Sequence, residues 1–133
     1  MTIERIKVGP RMSQAVIHGA TIHGATIHGP TVYLAGQVAD DPSADVAGQT
    51  RQILAKIDGL LAEAGTDKSK LLSANVWLSD ISTFDQMNAV WDEWVTPGQP
   101  PARACVESKL ARPQLKVEIM VVAARSGAGA EHQ

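Results

Sequence analysis

The chain has 133 residues, of which 44% are hydrophobic and 20% are charged. This length fits one domain with a substantial hydrophobic core. Twelve lysine and arginine residues stand against fourteen aspartate and glutamate residues, a formal net charge of −2, which argues against nucleic-acid binding through a general positive charge. A single cysteine excludes an internal disulfide and, with only four histidines, a cysteine-rich zinc site.

The hydrophobic residues are not arranged for a membrane helix or a secretory signal. No apolar run approaches the roughly 18 residues that a transmembrane helix needs. The first seven residues lack the apolar segment of a signal peptide. We therefore expect a cytoplasmic protein.

The N-terminal part predicts three strands. Residues 2–8 alternate in polarity and end at a Gly-Pro pair, a second strand begins at Ser13, and residues 31–38 are rich in β-forming side chains. Between the second and third strands, the unit Ile-His-Gly-Ala-Thr occurs twice and nearly a third time, over residues 17–31. Tandem copying explains a period of five better than any packing requirement. A long β-hairpin and a loop both fit this segment.

Three histidines recur with the repeated unit, namely His18, His23 and His28. A spacing of five alternates between the two faces of a continuous strand, so the three side chains could not converge on one ion without a turn. We predict no metal site there.

Two helices and three strands follow. Apolar residues recur at helical spacing over residues 46–64, and residues 71–78 resemble a strand. A second helix after Ser82 places four large apolar side chains on one face, which we assign to the core rather than to a ligand cage. They are Phe84, Met87, Trp91 and Trp94. Residues 102–109 and 116–124 predict the last two strands.

The resulting order, β-β-β-α-β-α-β-β, predicts the fold class. We expect one α+β domain over residues 1–124, with both helices on one face of a mainly antiparallel sheet. Residues 125–133 are small and polar, and we expect them to form a disordered tail.

Charged residues in the last two strands are candidates for chemistry. Strand alternation places Arg103 and Cys105 on the same face. An arginine there can hold a carboxylate through two hydrogen bonds, although spacing alone favours a surface arginine paired with an acid. Glu118 lies inside an apolar strand and must face solvent, a partner or a pocket, because a lone buried carboxylate is costly. Nothing marks an activating partner for Cys105, so we interpret it as an inert thiol.

With these residues identified, the chain resembles the RidA/YjgF family of reactive-intermediate deaminases, also described as endoribonuclease L-PSP-like proteins. The strongest match is residues 101–107 followed by residues 117–119. Supporting matches in the same order lie at residues 13–15, 35–38, 49–54 and 87–91.

The resemblance implies a chorismate-mutase-like fold and a homotrimer with a pocket at each subunit interface. It also implies cofactor-free hydrolysis of enamine or imine intermediates, such as 2-aminoacrylate, to 2-keto acids and ammonia. By the same resemblance, Arg103 would bind the substrate carboxylate and Glu118 would position the attacking water. Cys105, Gly36 and Asn88 would line the pocket.

The chain departs from the family pattern at two places. Met12 occupies a substrate-binding position where many deaminating members have tyrosine, so the resemblance leaves the typical substrate open. The family usually has one copy of the repeated unit, so this chain carries ten extra residues. An even insertion preserves which side chains face the core. We therefore expect five extra residues in each strand of a protruding hairpin, with the pocket preserved.

Three other functions stay open at this stage. The chain could act on a different imine, amide or carbamoyl-type catabolic substrate, or it could be a non-catalytic module that binds small carboxylates or acts like a chaperone. Ribonuclease activity is the least favoured, because the net charge is −2 and no aromatic-basic platform is visible.

Overall fold

The computed structural model describes residues 3–19, 21–23 and 26–125. Its strands are β1 Ile3–Val8, β2 Ser13–His18, β3 Thr21–His23, β4 Thr26–His28, β5 Thr31–Leu34, β6 Leu71–Leu78, β7 Ala102–Glu107 and β8 Val117–Ala124. The helices are α1 Val46–Glu63 and α2 Phe84–Trp94. The expected tail lies, from residue 126 onward, outside the described residues. No helix in the described ranges is long and apolar enough to cross a membrane.

Six strands form the main sheet in the order β1-β2-β5-β8-β6-β7. Neighbouring strands are antiparallel except β6 and β7, which are parallel. Helix α1 packs on the sheet and α2 packs against α1. The predicted α+β class, with two helices on one face of a mainly antiparallel sheet, is confirmed.

The two faces of the sheet differ in burial. Along β8, Val117, Ile119, Val121 and Ala123 are buried, whereas the residues between them are half-buried. This period of two is that of a strand with one face packed on a core. We call the side that packs on the helices the helix face and the opposite side the open face.

Helix α1 is fixed at its start by side-chain hydrogen bonds. The Asp45 carboxylate accepts a hydrogen bond from the Gly48 amide at 2.9 Å, which satisfies a donor that the first turn leaves free. The fully buried Gln49 accepts a hydrogen bond from the Lys116 amide at 2.9 Å. Gly65 follows the helix with φ 84°, a left-handed conformation that glycine adopts at low cost. The Gln49 hydrogen bond ties α1 to the loop before β8.

The clearest differences from the sequence prediction lie at three element boundaries. Strand β5 ends at Leu34 rather than at residue 38, and Gln37 makes only an isolated bridge to Ile119. Helix α2 begins at Phe84, because Asp80 caps a short 3-10 turn just before it. Strand β7 ends at Glu107, two residues earlier than predicted.

The repeated segment forms a hairpin whose register is continuous. In the main sheet, His18 of β2 pairs with Thr31 of β5. Three residues further along each strand, Thr21 of β3 pairs with His28 of β4. This pairing divides the described part of the segment equally between the two strands. The hairpin turn lies outside the described residues, as do the side chains of residues 20–28, so the absence of a metal site there stays a prediction.

Candidate functional site

Arg103 projects from the edge strand β7 toward helix α2. Its strand position pairs with Ala74, which is buried on the helix face. The guanidinium Nη1 donates a hydrogen bond to Asn88 Oδ1 at 2.7 Å. Its central carbon lies 5.1 Å from the centre of the Trp91 ring and 6.0 Å from that of Phe84. These distances allow cation–π attraction, so α2 holds the guanidinium in one place.

The aromatic residues of α2 therefore do more than fill the core. Trp91 is buried, as predicted, but Phe84 is 37% exposed, and both rings flank Arg103. The assignment of these rings to the core alone was incomplete. A signal was present in the sequence, because Phe84, Asn88 and Trp91 are separated by four and three residues and so share one face of a helix.

The Arg103 side chain has no acidic partner in this part of the protein. None of the ion pairs within the described residues involves it. The alternative that Arg103 is a surface arginine paired with an acid is therefore wrong for the described chain. Within the described residues, the half-buried guanidinium contacts an amide oxygen, the Met87 sulfur at 3.9 Å and aromatic rings, none of which carries a negative charge. Such a cation favours the arrival of an anion.

Cys105 lies two residues further along β7 on the same face as Arg103. It pairs with the buried Val76 and packs against the edge of the core. Burial raises the pKa of the Cys105 thiol, and the nearby Arg103 cation opposes this effect only in part. The thiol is therefore protonated at neutral pH, in agreement with the inert interpretation.

Glu118 lies on the open face of β8, where its strand position pairs with Trp77. The carboxylate is against the backbone of Gly36: a Cβ atom built on Gly36 would lie 2.1 Å from Glu118 Oε2. The chain next to Gly36 is fixed by main-chain hydrogen bonds between Gln37 and Ile119, of 2.8 Å and 3.1 Å. Gly36 therefore leaves the space that the carboxylate fills.

The predicted site residues fall into two groups on opposite faces of the sheet. Arg103, Cys105 and Asn88 meet on the helix face, whereas Glu118 and Gly36 meet on the open face. Both groups can be located from their partners on β6: Arg103 pairs with Ala74, and Glu118 pairs with Trp77. Ala74 and Trp77 are an odd number of residues apart in one strand, so their side chains point to opposite sides of the sheet. One protomer does not bring the two charged groups together.

Met12 belongs to neither group by direct contact. It lies between β1 and β2 and is 52% exposed. Its carbonyl oxygen accepts a hydrogen bond from the Gly9 amide at 2.8 Å, which closes the turn. The side chain is available to a molecule that approaches this end of the sheet.

The open face carries several apolar side chains that are exposed or half-buried. Tyr33 is 46% exposed and Val106 is 50% exposed, and Met120 and Val122 between them are half-buried. A sheet normally buries both faces or carries polar side chains on the one in water. The open face therefore has the character of a surface that another layer covers.

Comparison with known proteins places the chain in a family. The family described as Endoribonuclease L-PSP matches residues 10–125. A RutC family protein of Haemophilus ducreyi is 43% identical over 122 residues, which cover 92% of this chain and 96% of that protein. The RutC family protein YoaB of Escherichia coli K12 is 40% identical over 124 residues, covering 93% and 99% of the two chains.

Solved structures agree with the sequence relatives. An uncharacterised protein of Pseudomonas aeruginosa has a TM-score of 0.83 at 43% identity, covering 93% of this chain and 99% of its own. A member of the YjgF family from Neisseria meningitidis has a TM-score of 0.82 at 41% identity, covering 94% and 96%. The chain belongs to the Endoribonuclease L-PSP family, which includes the RutC and YjgF proteins.

Proposed function

We propose that the protein is a cofactor-free hydrolase that converts enamine and imine intermediates, such as 2-aminoacrylate, to 2-keto acids and ammonia in the cytoplasm. The observation that carries this proposal is the fixed, half-buried Arg103 guanidinium, which Asn88 holds at 2.7 Å and which has no acidic partner in the described chain. Such a group is suited to bind the carboxylate of a small substrate.

The proposed active site forms between two copies of the chain. Arg103, Cys105 and Asn88 come from one protomer, and Glu118 and Gly36 come from the open face of its neighbour. The apolar open face and the opposite placement of the two charged groups support this arrangement. A contact between two different surfaces closes into a ring when the rotation permits it. We propose a homotrimer with three equivalent sites, beside which Met12 lines the entrance.

The chemistry follows from the charges. An enamine such as 2-aminoacrylate first becomes the imine, as nitrogen loses a proton and the terminal carbon gains one. Arg103 holds the substrate carboxylate and orients the C=N carbon for attack. Glu118 accepts a hydrogen bond from a water molecule and takes its proton as the oxygen adds to that carbon. The proton passes to nitrogen, which gives a carbinolamine. The hydroxyl proton of this adduct then moves to the nitrogen, the C–N bond breaks, and ammonia leaves as the C=O bond forms. Cys105 contributes a neutral thiol and the β7 backbone beside it, which fits the raised pKa of the thiol.

Met12 favours a second candidate within the same class of chemistry. Its exposed thioether cannot donate the hydrogen bond that a phenol in this position would supply. A different imine, amide or carbamoyl-type substrate would suit a site without that donor. A carboxylate-binding module without catalysis is the remaining alternative, since Arg103 alone is sufficient for binding.

The test generates 2-aminoacrylate from serine with a dehydratase and follows keto-acid release. We expect the wild type to accelerate release, Glu118→Ala to lower the catalysed rate by about 10²-fold or more, and Arg103→Ala to abolish the acceleration. Arg112→Ala, which changes an exposed arginine in the loop before β8, is the matched control and should retain the rate. The absence of any acceleration by the wild type would contradict the proposal. Binding of keto acids without turnover would favour the non-catalytic module.

A further inference from the structure

A cavity lies away from Arg103, between the β1–β2 turn and helix α1. Its volume is about 440 Å³, within the range of small-molecule sites. Most of the residues that line it have polar or charged ends, although the surface that they present to the cavity is mainly apolar. The lining residues are Lys7, Gln14, Gln37, Lys56, Gly59, Leu60 and Glu63. None of the residues proposed for the deaminase site lines it.

Two glutamine side chains leave a hydrogen-bond donor and an acceptor in this cavity. Gln37 is 3% exposed, and its Nε2 donates to Ala35 O at 3.1 Å and to Gln14 Oε1 at 2.8 Å. Both donors of Gln37 are therefore used. Within the described chain, Gln37 Oε1 and Gln14 Nε2 form no hydrogen bond of their own. Neither atom is fully buried, because every fully buried side-chain nitrogen and oxygen there has a partner. Two residues that line the cavity therefore carry one free amide acceptor and one free amide donor.

Charges of both signs lie around the same cavity. Lys7 Nζ is 3.4 Å from Glu63 Oε1, and both side chains are half-exposed. Lys7 has φ 52°, and it is the residue of β1 between Ile6 and Val8 that has no paired residue in β2. This left-handed conformation is uncommon for lysine, and here it accompanies a side chain that reaches α1. Lys56 Nζ donates to Val38 O at 2.8 Å and forms an ion pair with Asp40 Oδ1 at 3.0 Å, so its charge is already balanced.

The α1 side of the cavity has a gap at Gly59. A Cβ atom built there would meet nothing within 4 Å, although glycine inside a helix is less favourable than alanine. The neighbouring Leu60 contributes apolar surface. The cavity therefore has room for an aliphatic group beside its charged rim.

We propose that this cavity binds a free α-amino acid in its zwitterionic form. Lys7 attracts the carboxylate, and Gln14 Nε2 donates to it. Glu63 and Gln37 Oε1 accept hydrogen bonds from the ammonium group. The side chain lies over Gly59 and Leu60. The ligand replaces the contact between Lys7 and Glu63 with one ion pair to each of them. A simple anion would pair with Lys7 and leave Glu63 without its partner, and a simple cation would do the reverse, so the combination selects a ligand that carries both charges.

The test follows the side-chain amide signals of Gln14 and Gln37 by NMR in the full chain. L-valine is the probe, titrated to about 10 mM because small ligands of this kind bind weakly. We expect saturable shifts of both amides, with acetate and methylammonium at least about tenfold weaker. Equal effects of acetate and L-valine would contradict selection of a zwitterion, and no saturable shift with L-valine would contradict the site.

Substitutions in the lining test whether L-valine binds in this cavity. Gly59→Leu fills the cavity and Lys7→Gln removes one charge, and each should weaken L-valine binding about tenfold or more. Lys70→Gln is the matched control, since it removes a lysine that is 3.8 Å from Asp67 outside the cavity.

Unchanged affinity in both Gly59→Leu and Lys7→Gln would overturn the proposal. If Gly59→Leu fails to fold, Lys7→Gln decides. Arg103→Ala should keep L-valine binding while losing keto-acid release, which separates this site from the proposed deaminase site.

Discussion

At the scale of single residues, Gly36 controls the position of Glu118. A methyl group on Gly36 would lie 2.1 Å from Glu118 Oε2. The carboxylate is the end of a flexible side chain, so it moves while the backbone stays. Gly36→Ala should leave the thermal unfolding temperature nearly unchanged and lower keto-acid release by about 10²-fold, the range for a misplaced acid or base.

Gly9→Ala is the matched control for this change. The nearest atom to its added Cβ would be Met12 O at 3.4 Å, an ordinary contact. We expect the wild-type rate of keto-acid release in Gly9→Ala. A wild-type rate in Gly36→Ala as well would show that the precise position of Glu118 does not matter.

The thiol of Cys105 provides a test that depends on pH. Burial raises its pKa above the ordinary value, and the Arg103 cation counteracts part of that rise. Only the thiolate reacts with iodoacetamide, so the alkylation rate of the folded chain should rise at higher pH than that of the urea-unfolded chain. Arg103→Ala should move this midpoint higher still, because the stabilising cation is gone. A folded midpoint below the unfolded one would contradict the assigned environment.

At the scale of elements, helix α1 depends on its first turn. Asp45 accepts the Gly48 amide hydrogen bond at 2.9 Å. Asp45→Ala should lower the free energy of unfolding in urea by about 1 kcal/mol, the usual effect of losing such a cap. Asp45→Asn keeps a side-chain oxygen and should retain most of the stability. Equal losses in both variants would indicate that charge, not capping, supports the helix start.

Periodicity predicts the elements well where one side packs on a core. The strand at Leu71–Leu78 has the predicted bounds, and α1 differs by one residue at its end. The end of β5 was missed because the β-rich composition continues past Leu34, while the chain leaves the ladder near Gly36 to make room for Glu118. That departure depends on a contact 82 residues away in sequence, which no local pattern contains.

The sequence predicts which residues belong to the candidate site, but it does not predict how they are arranged in space. Local alternation placed Arg103 and Cys105 on one face, and this prediction is confirmed. The relation of Arg103 to Glu118 depends on how β7 and β8 both pair with β6. Strand order and register between distant segments are tertiary properties, so the separation of the two charges could not be read from the sequence. The aromatic surroundings of Arg103 required the docking of α2.

At the scale of the whole molecule, the single chain covers only one face of its sheet with helices. Its core is closed by two helices on one face, but the open face keeps Tyr33, Met120 and Val106 at least partly in solvent. The proposed active site is divided in the same way, with Arg103 and Glu118 on opposite faces. Assembly would cover the apolar face and complete the site in one step. The repeated hairpin extends from β2 and β5 without changing their register.

The most direct test of this account mixes two inactive variants. Arg103→Ala and Glu118→Ala should each lose keto-acid release as pure proteins. When equal amounts are unfolded together and refolded, about a quarter of the sites should pair an intact Arg103 with an intact Glu118 from a neighbour, and activity should return to about a quarter of the wild-type value. In the control, the two folded variants are mixed under conditions in which subunits do not exchange, and this mixture should stay inactive. If the co-refolded mixture forms mixed oligomers yet recovers no activity, the two residues do not act across a subunit interface.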